Sequence, residues 1–175
     1  PIQNVGVCTY GAPPPSDLPR ECSATGSSVE CVGNVSPEPG CEKINQFCCA
    51  KQLPDAFAAL LRYRQKHPFD SFSLGCSGNF GGGNATWAKM LGGLLNNVSS
   101  LRELHLDLSF NNLGGDALVD AVEAGLVVNL GLRNFSVLLE AANLTDAGAT
   151  RLGKLLGSHF RGSALRVSVE RNGPD

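Results

Sequence analysis

Apolar and polar residues alternate in four short stretches of the chain: Phe72-Ser-Leu74-Gly-Cys76, Leu104-His-Leu106-Asp-Leu108, Phe135-Ser-Val137-Leu-Leu139 and Leu165-Arg-Val167-Ser-Val169. A period of two is that of a strand with one buried face. Equivalent positions in successive stretches are separated by 32, 31 and 30 residues, which marks an internal repeat. Between the stretches the period changes. Ala85, Trp87, Met90, Leu94 and Val98 align with Ala117, Val119, Val122, Leu126 and Leu130, and with Ala147, Ala149, Leu152, Leu156 and Phe160. Their spacing puts each set on one helical face. Asn84, Asp116 and Asp146 stand just ahead of these faces, where a short polar side chain caps free N–H groups. Each unit reads strand, turn, helix, and strands returned by helices lie parallel. A further helix is predicted over 55–66, starting at Pro54 and stopping before Pro68, with Phe57, Leu60 and Leu61 apolar.

Within this repeat, Leu106-x-Leu108-x-x-Asn111-x-Leu113-Gly-Gly-Asp116-Ala117 and Val137-x-Leu139-x-x-Ala142-x-Leu144-Thr-Asp146-Ala-Gly148-Ala149 are two copies of one pattern. The pattern resembles the signature of leucine-rich repeats of the ribonuclease-inhibitor type, over about residues 69–175. The resemblance implies an α/β fold: a short leucine-rich-repeat solenoid with parallel strands on its concave side and helices on its convex side. It implies that Leu104, Leu106 and Leu108 and their equivalents point inward, and that Asn79, Asn111 and Asn172 bond backbone groups where the chain leaves each strand. Cys76 takes the slot of Leu108, Leu139 and Val169 and is expected to be a buried small hydrophobe. Proteins of this family commonly bind protein partners with the concave face.

Composition divides the chain near residue 50. Six of the seven cysteines, Cys8, Cys22, Cys31, Cys41, Cys48 and Cys49, fall in the first fifty residues, among many prolines and with five acidic against two basic residues. That predicts a disulfide-stabilised cap over 1–50, its pairings left open, followed by a capping helix within 51–68 and the repeats over 69–175. Adjacent Cys48 and Cys49 are expected to bond different partners. No metal site is expected, because no C-x-x-C pair occurs and His67, His105 and His159 lie elsewhere. Five Asn-x-Ser/Thr triplets, at Asn34, Asn84, Asn97, Asn134 and Asn143, exceed the roughly 1.5 that chance supplies. Asn97, Asn84 and Asn143 are the candidate glycosylation sites. Cysteines and triplets together predict a secreted protein or one of an organelle lumen. The chain begins at Pro1, which predicts a mature or cleaved product. With 17% charged residues and a net charge of −2 it lacks the basic face of a nucleic-acid binder, and no apolar run suits a membrane span.

Chemistry-bearing motifs are few. Gly81-Gly82-Gly83 precedes a helix but lacks the Lys-Ser/Thr of a phosphate loop and reads as a repeat turn; no cofactor is expected. The strand residues that alternate with the core would line the concave face, and His105, Asp107, Ser109, Leu138, Glu140, Arg166 and Glu170 are its candidate partner-binding residues. His105 and Asp107 with Ser77 or Ser109 hint at a hydrolytic trio. Yet strands ~4.8 Å apart and i, i+2 residues ~6.5–7 Å apart hold such groups poorly, and no G-x-S-x-G elbow occurs. Arg62, Arg64, Lys66 and His67 form a small basic cluster expected to be a solvated helix face. The chain stops just after the fourth strand without a closing helix, which predicts a protein partner over that edge, or a longer protein. The expected function is non-enzymatic protein–protein interaction, as a structural subunit of an extracellular or lumenal assembly. The alternatives are a reversible recognition or inhibitor module that binds one protein through its concave face, and a hydrolase using His105 and Asp107.

Overall fold

Alternation decides which face of a strand turns inward, and register decides what that face meets. The computed structural model describes residues 18, 22–32, 53–77, 85–110 and 115–172. Cys8, Cys41, Cys48, Cys49, Asn34, Asn79, Asn84, Asn111 and the Gly81–Gly83 turn lie outside them. The architecture is α/β. Six strands form one sheet in chain order: β1 (Cys22–Thr25), β2 (Ser28–Val32), β3 (Ser71–Gly75), β4 (Glu103–Asp107), β5 (Asn134–Leu138) and β6 (Ala164–Ser168). β1 is antiparallel to β2, and every later pair is parallel. Helices α1 (Leu53–Lys66), α2 (Ala85–Asn97), α3 (Gly115–Val128) and α4 (Asp146–His159) occupy the successive crossovers and contact one another in order.

The pairing follows the spacing read from the sequence. Phe72 faces Leu104, which faces Phe135, which faces Leu165; Leu74, Leu106, Val137 and Val167 form the next row. Val29 and Cys31 of β2 extend the two rows. From β2 to β5 these side chains are buried, each large one contributing roughly 2 kcal/mol by leaving water. Leu108 and Leu139 are buried as expected.

The helical faces differ from the expected ones by a residue. Leu130 was expected in the core, yet it is 72% exposed while Asn129 is 2% exposed. Asn129 stands six residues before Phe135, as Val98 stands six before Leu104, so the residue equivalent to buried Val98 is polar. Its burial is stable because it is fully used. Nδ2 donates to Val98 O at 2.9 Å and Gly125 O at 2.8 Å, and Oδ1 accepts from Leu101 N–H at 2.7 Å. These bonds satisfy backbone groups that a helix end leaves free. On α4, Ala147 and Ala149 are exposed, and the inward face is Gly148, Leu152, Leu155 and Leu156. The α4 cap is Thr145, not Asp146: its hydroxyl accepts from Gly148 N–H at 3.0 Å and donates to Asp116 in the first turn of α3.

The β1–β2 hairpin, absent from the sequence reading, comes from the cysteine-rich segment. Thr25 and Ser28 close a two-residue loop in which Gly26 has φ +58°, a conformation open to glycine without steric cost. Cys22 and Cys31 are direct cross-strand partners joined by a disulfide. Cys76 is buried, but it is no free hydrophobe: it too is disulfide-bonded, to a cysteine outside the described residues. Three residues beyond β4, β5 and β6 the chain turns through a left-handed residue, Phe110, Ala141 and Arg171.

Candidate functional site

The face of the sheet turned away from the buried rows gathers residues that lie far apart in sequence. Register sets Glu30, Ser73, His105, Ser136 and Arg166 side by side in one row, and Val32, Gly75, Asp107, Leu138 and Ser168 in the next. Ser73, His105, Asp107, Ser136 and Leu138 are half-buried, and Arg166 is exposed. Neighbouring strands stand about 4.8 Å apart, so the rows adjoin: the first is polar throughout, and the second mixes Asp107 and Ser168 with Val32, Gly75 and Leu138. Toward one end of the first row stands the negative Glu30, with Ser23 of β1 beyond it, and at the other the positive Arg166.

Several of these groups are held by the sheet itself. Glu103 accepts from Ser71 Oγ at 3.2 Å and from Asn134 Nδ2 at 2.7 Å, clamping three strands. Glu140 accepts from Ser168 Oγ at 2.8 Å. Asp107 accepts from the N–H of Ser109 at 3.1 Å, two residues along, and so organises its own turn. Ser109 is only 4% exposed, and its Oγ accepts from Glu140 N–H at 3.3 Å. It therefore does not belong to the open surface on which the sequence placed it, because it lies past the end of β4 where the chain turns inward. Glu170 is exposed, two residues past the end of β6.

The predicted basic cluster on α1 is divided between separate contacts. Arg64 lies 4.9 Å over the Phe69 ring and donates to Ser99 O just past α2, while His67 stacks on Tyr63. Burial pushes the Arg64 guanidinium below its usual value. On the helical side, Arg151 bridges α4 to α3 through Glu123 and Asp120, and hydrogen bonds to these two carboxylates, Glu123 first, raise its pKa. Among the described residues no group of His, Cys, Asp or Glu is placed to hold a metal ion, and no helix is long and apolar enough to cross a membrane.

Asn97 is exposed, its Nδ2 donating to Gly93 O, and Asn143 is exposed with φ 58°. Asn134 is engaged by Glu103. Asn172 accepts from Ala142 N–H at 2.8 Å and Leu144 N–H at 3.1 Å and donates to Leu139 O and Val169 O. It thus fixes the last turn to the one before. The sequence reading missed Asn129 and Glu103. An Asn after the last apolar helical residue is a stop signal that pointed to the first; nothing local pointed to the second, whose partners lie on two other strands. No protein-family model matches the chain, and no curated protein matches it.

Proposed function

We propose that this chain is a non-enzymatic protein-binding subunit: a short leucine-rich-repeat solenoid of the ribonuclease-inhibitor type whose concave strand face receives a protein partner. The observation that carries this reading is the register, which assembles polar side chains from five strands into adjoining rows. A surface of that kind offers many modest, shape-dependent contacts, as protein interfaces do. Its residues are poorly disposed for catalysis. Asp107 is occupied with Ser109 N–H, and the Ser109 hydroxyl is buried, so neither is poised beside His105 as a nucleophile or its orienting acid.

The β6 end supports a permanent assembly. Leu165 and Val167 of β6 and Val169 just past it are 49%, 37% and 37% exposed, and among the described residues β6 pairs with β5 alone; a partner protein covers this edge. The Cys22–Cys31 disulfide is compatible with an oxidising compartment, and we assign the protein to the extracellular space or an organelle lumen.

The test is native size combined with surface variants. Ser73→Arg, His105→Arg and Ser136→Arg alter the centre of the concave face without touching the buried rows. They should abolish a stoichiometric complex in the source material while leaving the melting temperature within about 2 °C, as for surface changes. Survival of the complex through all three would refute the concave-face assignment.

A further inference from the structure

Three of the five Asn-x-Ser/Thr triplets, those at Asn97, Asn134 and Asn143, fall on described residues, and the fold treats them differently. Asn134 opens β5, between β4 and β6, where it is half-buried and its Nδ2 donates to Glu103 at 2.7 Å. A sugar on that nitrogen would crowd the Glu103 clamp and stand on the strand face itself. Asn143 is exposed, but its triplet is pinned. Ala142 N–H and Leu144 N–H, on either side of it, both donate to Asn172 Oδ1, at 2.8 Å and 3.1 Å. The Thr145 hydroxyl accepts from Gly148 N–H and donates to Asp116. That hydroxyl is the part of the triplet that a glycan-transferring enzyme reads, and here its single hydrogen is already committed.

Asn97 has neither restraint. It is the last residue of α2 and exposed, and its Nδ2 makes one bond, to Gly93 O at 2.7 Å within its own helix. An amide nitrogen carries two hydrogens, so the second is left for substitution. Ser99 is also exposed, and it is engaged through its carbonyl, which accepts from Arg64, and not through its hydroxyl. Val98 between them is buried, so the triplet stands on a fixed base with both polar side chains in water. Helix ends open more readily than clamped turns, which gives an enzyme access to the segment.

We propose that Asn97 carries an N-linked glycan and that Asn134 and Asn143 do not. In the transfer, Asn97 Nδ2 displaces the diphosphate from the anomeric carbon of a polyprenol-diphosphate oligosaccharide. The N–C bond forms as the C–O bond breaks, the diphosphate leaves with the electron pair, and one Nδ2 proton passes to solvent. The remaining N–H retains the bond to Gly93. Asn97 lies on the helical side of the layer, six residues before β4 begins, so a bulky, hydrated glycan there keeps the end of α2 in water and leaves the strand rows open to a protein partner.

This inference rests on the reading of an oxidising, secretory compartment, and its test separates the two. Protein from its source, cleaved after Lys, Arg and Glu, yields Met90–Arg102, Asn134–Glu140 and Ala141–Arg151, with one triplet in each. Mass spectrometry should find hexose and N-acetylhexosamine on the first peptide and none on the other two. In the full chain expressed through a secretory pathway, Asn97→Gln and Ser99→Ala should each remove the whole added mass, and since both side chains are exposed, an unchanged melting temperature shows that the variants fold. A bare Met90–Arg102 peptide overturns the proposal, as does a sugar that survives Asn97→Gln, and a glycan on either other peptide overturns the exclusion of that site. If Met90–Arg102 is bare while Cys22 and Cys31 are found oxidised, the compartment stands without the glycan. Free thiols throughout overturn both.

Discussion

The two ends of the sheet carry similar sequence patterns and opposite burial. At the first end β2 has β1 on one side and β3 on the other, a disulfide joins it to β1, and Val29 and Cys31 are buried to 1% or less. At the last end β6 has β5 alone among the described residues, and Leu165 and Val167, in the same rows, remain 37% exposed or more. An alternating strand has a preferred inward face because of its own residues, but that face is buried only if a second neighbour and a helix complete the layer. The difference locates binding energy. Apolar area still in contact with water at β6 is area that a partner can remove, whereas the first end has already used its own.

The largest expected effect sharpens this contrast at one row. Leu104→Ala, in an interior strand, should cost about 3 kcal/mol by cavity formation, whereas Leu165→Ala on β6 in dilute protein should cost less than about 1 kcal/mol. Urea denaturation of both variants measures the gap, and equal losses would mean that β6 is already covered. The next effect breaks the closed end. Replacing Cys22 and Cys31 together by serine removes a short cross-link and should lower stability by about 2.5 kcal/mol, with the earliest loss of amide protection in β1 and β2. Asn129→Ala should follow at about 2 kcal/mol, since it strands the Leu101 N–H and two carbonyls inside the protein. Asn172→Ala, at the open end where water replaces lost bonds, should cost less. The smallest effect has the other sign: Ala141→Gly relieves a left-handed backbone and should stabilise by roughly 0.5–1 kcal/mol, seen as a small rise in melting temperature.

Strand identity and register were legible because period two and the fixed order of units leave little freedom. Phe72, Leu104, Phe135 and Leu165 line up at the spacing that the sequence shows. Helical faces were less legible. Leu130 is apolar and Asn129 polar, so hydropathy alone prefers the wrong one; three hydrogen bonds to backbone groups of the turn reverse the preference. Thr145 displaced Asp146 as a cap because either residue type can fill the position, and only geometry chooses. Gly26-Ser27 is a recognisable hairpin loop, but the strands beside it are short, and the cysteines on both drew the reading toward an irregular cap. The disulfide at Cys76 was hidden for a similar reason: a slot that suits leucine in other units also suits half of a cystine, and both are apolar. Of the open strand face, His105, Asp107, Leu138 and Arg166 lie where alternation places them, while Ser109 turns inward because β4 ends before it.

The most direct test of the account is amide hydrogen exchange, residue by residue, on protein dilute enough to be monomeric. Groups that point off a bare edge exchange by local fluctuation, whereas groups bonded within the sheet need larger openings. Leu165 and Val167, which alternate along β6 with Ala164 and Ser168 bonded toward β5, should exchange at least about a hundredfold faster than Leu106 and Val137, and addition of the partner should slow them to interior rates. Protection of the Leu165 and Val167 amides equal to that of Val137 in the dilute monomer would contradict an open β6 edge.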